Sequence, residues 1–126
     1  MTSGTPHPEV PAVDAAFRHP LRLTVAAYLS ACDEAEFATV RDYCQVSDSV
    51  LSKAASALEA VGYLDIRKGA VGKRFRTWLS LSPAGRDALD RHLAALQQIA
   101  AAARSAGARA RNETAQSASS PPGETA

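Results

Sequence analysis

Residues 67–76 read RKGAVGKRFR: five cations (Arg67, Lys68, Lys73, Arg74, Arg76), two glycines and no acid in ten positions. The 126-residue chain carries 14 Lys+Arg against 13 Asp+Glu, a net charge of +1. Without those five cations, nine basic residues face 13 acids, a net of −4. The positive charge is gathered at one place. On either side, YLDIRKG (63–69) and FRTWLSLS (75–82) place Leu64 and Ile66, then Thr77, Leu79 and Leu81, at alternate positions. Period two marks half-buried strands. Gly69 and Gly72 lie between, which predicts a β-hairpin with a loop of several residues and a basic tip. Trp78 alternates to the hairpin's outer face.

Upstream of the hairpin the pattern is helical. His19-Pro20 opens a helix, with Pro20 in the first turn, and Leu21, Val25, Tyr28, Leu29 and Cys32 fall on one stripe. The acidic turn DEAE (33–36) ends it. FATVRDYC (37–44) gives a short second helix with Val40, Tyr43 and Cys44 inward. A third helix follows, N-capped by Ser47 with Asp48 in its first turn, and is stopped near Val61 by Gly62. The short connection between the second and third helices has helix-turn-helix spacing. On the third helix Leu51, Ala55, Leu58 and Val61 form the buried stripe. Ser49, Lys53, Ser56 and Ala60 lie opposite, with Val50 and Ala57 on the flank. This outward face is small, with one cation, and suits close approach to a major groove. Ser82-Pro83 starts a fourth helix as N-cap and N1.

The composition bounds the rest. Residues 1–13 hold three prolines and read as a flexible arm. Residues 104–126 contain no Leu, Ile, Val, Phe, Met, Trp or Tyr, and are expected to form a disordered tail. The folded unit is expected over 14–103, with the fourth helix at 82–103. No apolar run is long enough for a membrane span, and no secretory signal is visible, so a cytoplasmic setting without membrane contact is expected. Cys32 and Cys44 give no framework of bridges, which agrees with a reducing compartment.

Four stretches in combination carry a resemblance: HPLRL (19–23), VSDSVLSKAASALEAVGYL (46–64), KGAVGKRFRTWLSLSPAGR (68–86) and the helix entry SPAG (82–85). Together the chain resembles the short winged-helix transcriptional regulators related to the MarR and ArsR families. The fold expected is mainly α with a small β-hairpin (α+β), a winged helix-turn-helix with a C-terminal dimerisation helix. The resemblance implies a homodimer that binds double-stranded operator DNA, usually as a repressor. The recognition helix would use Ser47, Ser49, Val50, Lys53 and Ser56 in the major groove. The wing would use Arg67, Lys68, Lys73, Arg74 and Arg76 on phosphates or the minor groove. Relatives often carry Asn, His or Arg on the recognition face, where this chain has Val50, Ala54 and Ala57. Weight therefore shifts to Ser49, Lys53, Ser56 and the wing. On the fourth helix Leu89, His92, Leu93, Leu96, Ile99 and Ala100 recur at spacings that pair two copies.

Other chemistry finds little support. A soft-metal site needs three or four ligands, and the two cysteines with His92 do not make up a set, so no metal or cofactor is expected and the cysteines read as small core residues. His7 falls in the arm, and no nucleophile triad, paired-carboxylate signature or phosphate loop is present. The chain is not expected to be an enzyme, and it shows no added effector domain; an effector would have to bind at the dimer crevice. A second class stays open: a winged-helix protein–protein module whose basic wing meets an acidic partner.

Overall fold

Pro20, with its φ preset for a helical first turn, starts α1 (Pro20–Ser30) after an extended His19. A two-residue strand, β1 (Ala35–Glu36), follows, then α2 (Phe37–Cys44), α3 (Asp48–Ala60), β2 (Leu64–Val71), β3 (Arg74–Leu81) and α4 (Pro83–Ala118). The computed structural model describes residues 12–118; the arm expected over 1–13 lies outside them apart from Ala12 and Val13, as do residues 119–126. The chain divides into one unit at Ala12–Ala94 and a second whose described part, residues 95–118, is helix alone.

The first unit is built on a single apolar cluster. Val25, Ala26 and Leu29 of α1, Val40 of α2, Leu51, Ala55 and Leu58 of α3, Leu64, Leu79 and Leu81 of the sheet, and Ala88 and Leu89 of α4 are all buried in it. β3 is the middle strand of an antiparallel sheet ordered β1-β3-β2. Its register sets Leu79 opposite Ile66 and Leu81 opposite Leu64, so the alternation foreseen in the sequence puts these four on one face. Arg86 ties this sheet-side helix back to α1, donating to the carbonyls of Ser30 (3.0 Å) and Cys32 (3.1 Å).

Several expectations are corrected. The hairpin has a two-residue turn, Gly72-Lys73, rather than a loop of several residues; Gly69 lies inside β2 opposite Arg76. Gly72 has φ of +65°, and among the described residues no positive φ falls on Lys73, the pattern of a tight hairpin turn with glycine first. The DEAE segment supplies β1 instead of being only a turn. Tyr43 and Val61, expected to face inward, are exposed (61% and 52%), and Ala54 is buried. Tyr43 instead lies against Tyr28, ring centroids 5.0 Å apart. Finally, α4 is helical to Ala118, where the sequence reading stops near Ala103. The lack of apolar side chains removes packing partners but not helix propensity, and AAARSAGARAR is rich in alanine and arginine, both strong helix formers.

Two local devices close the first unit. Ser82 caps α4: its hydroxyl accepts from the Gly85 N–H (3.0 Å) and donates to the Gly62 carbonyl (2.6 Å). Glycine at 85 is required by crowding, since a Cβ there would stand 2.1 Å from the Tyr63 carbonyl oxygen. At the other end, Asp14 caps a 3-10 turn at Ala15–Phe17 through Oδ1 and accepts from the Tyr63 hydroxyl through Oδ2 (2.6 Å). The Asp14 backbone N–H donates to His92 Nδ1 (2.9 Å), and Phe17 stacks on Tyr63 with centroids 5.5 Å apart.

The bond to Asp14, followed by burial, raises the Tyr63 hydroxyl above the usual tyrosine range. A phenol whose pKa is raised on folding adds stability below its unfolded value, about 10, and that stability is lost as pH climbs through the folded value. Tyr63→Phe should therefore cost about 0.5–1.5 kcal/mol at pH 7. It should also flatten the decline in thermal stability above about pH 10, read from melting curves of both proteins across that range.

Candidate nucleic-acid interface

The α2–α3 connection is made of Gln45, Val46 and Ser47. Gln45 takes the left-handed conformation (φ +57°) that ends α2. Ser47 is extended, and its hydroxyl accepts from the Val50 N–H (3.2 Å). Arg41 clips the two helices, reaching Asp48 at 2.8 Å and Asp42 at 2.9 Å. This fixes the start of α3, whose face of Ser49, Val50, Lys53 and Ser56 is exposed as expected. The Ser47 hydroxyl, expected to read bases, is occupied as the cap and lies 3.3 Å from that of Ser49.

The five wing cations separate into two groups. Arg67 and Arg76 share the outer face of the sheet with Trp78, following the period of two. Arg67 makes a two-point bond to Glu34 (3.0 and 2.8 Å), and its guanidinium carbon is 5.3 Å from the centroid of the Trp78 ring. That bond holds the Glu34 carboxyl below the usual carboxylate range. Arg76 donates through Nη1 to both oxygens of Glu36, 2.8 Å each. Both acids come from the DEAE segment, which β1 holds against β3. Lys68, Lys73 and Arg74 form no ion pair among the described residues. So three of the five wing cations are unpaired among those residues, and the other two, Arg67 and Arg76, are ion-paired to the DEAE acids. The sequence signal for this was the acidic composition of DEAE, legible only once β1 is known to sit beside β3.

Between α3 and the wing lies an open cleft of about 640 Å³. Ser52, Ser56 and Glu59 line it from α3, Lys68 and Thr77 from the wing, and Phe37 from α2. Lys68 and Thr77 are cross-strand partners on the same sheet face as Leu79, so this face looks toward α3. Ser52 and Ser56 of α3 and the unpaired Lys68 thus border one hollow, while Lys73 and Arg74 lie farther out at the tip of the hairpin. Among the described residues no cluster of His, Cys, Asp or Glu could hold a metal ion.

Of the residues expected to pair two copies, Leu89 and His92 are buried inside the chain's own core at 2% and 4% exposure, His92 beside Phe17. Leu93 and Leu96 are exposed, and Ile99 and Ala100 half-buried. The thiols are both free and half-buried. Burial pushes the Cys44 thiol up, away from the thiolate that reacts. Iodoacetamide at pH 8 should therefore label the native chain several-fold more slowly than the urea-unfolded chain, by mass spectrometry; equal rates would show an activated thiol.

The profile of the family described as "Winged helix DNA-binding domain" matches residues 21–100. No curated protein matches the sequence. Among solved structures, a transcriptional regulator homologue from Pyrococcus horikoshii OT3 superposes with a TM-score of 0.65 at 21% identity, covering 69% of this chain and 86% of that one. YusO from Bacillus subtilis gives 0.61 at 22%, over 84% of this chain and 78% of its own. MepR of S. aureus, solved as a DNA complex, gives 0.59 at 12%, over 80% and 82%. These agree in fold with the resemblance to winged-helix regulators related to MarR.

Proposed function

The chain belongs to the winged-helix DNA-binding domain family, and from that premise we propose that it is a dimeric, sequence-specific transcriptional regulator, a repressor that binds operator DNA. One observation carries the reading: Ser52 and Ser56 of α3 face Lys68 of the wing across a single cleft, and the wing carries two more unpaired cations, Lys73 and Arg74, at its tip, in a chain whose remaining charge is negative. In this reading Ser49, Val50, Lys53 and Ser56 enter the major groove, where short side chains permit close approach. Lys68, Lys73 and Arg74 take phosphates and the adjoining minor groove, while Arg67 and Arg76 hold the hairpin at its angle. No helix among the described residues is long and apolar enough to cross a membrane.

The dimer in this reading forms through α4. Leu93 and Leu96 are 39% and 40% exposed, and Leu93 shares a shallow hollow of about 470 Å³ with Leu23, Tyr28 and Tyr43. Such apolar surface is covered most readily by a second copy. Two recognition helices would then meet half-sites about one helical turn, roughly 10 bp, apart. Leu93→Glu with Leu96→Glu should give a monomer by light scattering with an unchanged circular dichroism spectrum, and tight operator binding should be lost. A parent that is monomeric at tens of micromolar and still fills a half-site would refute the dimer.

The experiment for DNA binding is a salt titration against duplex from the gene's own upstream region. If Lys53, Lys68, Lys73 and Arg74 of both subunits each neutralise one phosphate, about eight counterions are released and the log–log slope should be about −7. Binding that ignores salt, or no binding at about 50 mM salt, contradicts the reading. Salt-sensitive capture of an acidic protein in place of duplex would favour an interaction module.

A further inference from the structure

The tip of the wing carries a side chain that the phosphate contacts do not use. Phe75 is 86% exposed, the most exposed large apolar residue of the described chain. It occupies the sheet face of Thr77 and Leu79, opposite Ala70 across the hairpin. That face looks toward α3, because Thr77 and Lys68 line the cleft that Ser52 and Ser56 border. From Thr77 the hairpin runs on through the pairs Gly69–Arg76, Ala70–Phe75 and Val71–Arg74, about 10 Å of strand beyond the cleft. Lys73 in the turn and Arg74, next to the ring in sequence but on the opposite face of the strand, have no carboxylate partner among the described residues. A short hollow beside it is formed by Glu36, Phe37 and Ala38 with Arg74–Thr77.

A bare phenyl ring at a tip that also carries two free cations is poorly matched to water and well matched to one polyanion. The cations suit the phosphates that border a minor groove. The ring suits the base-pair step between them, where apolar wedges unstack neighbouring bases and bend the duplex. The braces make the wedge effective: Arg67 on Glu34 and Arg76 on Glu36 fix the hairpin from its outer face, so the ring is presented with little left to order. Because the ring's sheet face looks toward α3 across the cleft, one duplex can meet both elements.

We propose that Phe75 is a minor-groove wedge that partly intercalates at a base step and bends the operator. This rests on the DNA-binding reading, and adds to it shape and deformability as a source of specificity; flexible pyrimidine–purine steps at the wing position should be preferred. The test uses the full chain, the upstream duplex end-labelled for energy transfer, and 2-aminopurine at the wing-contacted step. The parent should shorten the end-to-end distance and raise the 2-aminopurine emission. Phe75→Ala, at so exposed a position, should keep its circular dichroism spectrum and its salt slope. It should lose the bend and the emission change, and bind about 5- to 100-fold more weakly, the range for losing one stacked base. Phe75→Leu, which keeps an apolar wedge, should retain most of the bend. A parent that binds but does not bend the duplex, or a Phe75→Ala chain with parental affinity and bend, overturns the wedge and leaves the DNA-binding reading standing. A parent that binds no duplex overturns both. Phe75-dependent binding to anionic vesicles without duplex bending assigns the ring to a lipid surface and also overturns the wedge.

Discussion

The pairing register of β3 is the constraint on which the site depends. This strand is hydrogen-bonded on both edges, so its alternation is fixed twice. Odd positions bury Leu79 and Leu81 and carry Thr77 and Phe75 along the same face toward α3. Even positions carry Arg76 and Trp78 to the other face, where Arg67 and the DEAE acids meet them. A slip of one residue would bury Trp78 and Ser80 and turn the braces toward the cleft. Two leucines in the core thus set Arg67 and Arg76 on the face where the DEAE acids can meet them.

That division has an energetic logic. Exposed ion pairs contribute little to stability singly, because water and salt screen them and long side chains lose freedom. The Arg67–Glu34 pair is better than most in geometry, with two parallel bonds and an aromatic ring beneath the guanidinium. Its main effect is positional: together with Arg76–Glu36 it fixes the angle of an eight-residue hairpin arm whose tip would otherwise rest on a two-residue turn. The two acids also cancel charge on the outer face, which leaves the positive potential at the tip and on the α3 side. A field confined to one side orients a polyanion before contact.

Much of this was legible in the sequence because it is written in local chemistry. Pro20, Ser47, Gly62 and the Ser82-Pro83 pair mark helix ends by side-chain capping or backbone preference, and the structure has its helix boundaries there. The alternation of 64–66 and 77–81 holds because burial enforces it. What escaped the reading depends on residues far apart in the chain. Two-residue β1 has no period to detect, and Glu34 just before it and Glu36 within it find Arg67 and Arg76 across 33 and 40 positions. His92 fits the stripe of a pairing helix, yet its partner is a backbone N–H 78 residues away. Gly69 reads as loop on composition, although a glycine inside a paired strand follows the register of its neighbours. Phe75 is one aromatic in a basic run, which says nothing until its face and exposure are known.

Whether the wing grips a duplex with its unpaired cations can be read from salt slopes on one operator fragment for two variants of the full chain. Replacing Lys68, Lys73 and Arg74 by alanine should remove six phosphate contacts from the dimer and flatten the log–log slope by about 5. Replacing Arg67 and Arg76 by glutamine should leave the slope within about one of the parent's, even where affinity falls through loss of the hairpin's angle. Equal changes in slope for both variants, or a larger one for the Arg67/Arg76 pair, would show that the paired arginines hold the phosphates as well.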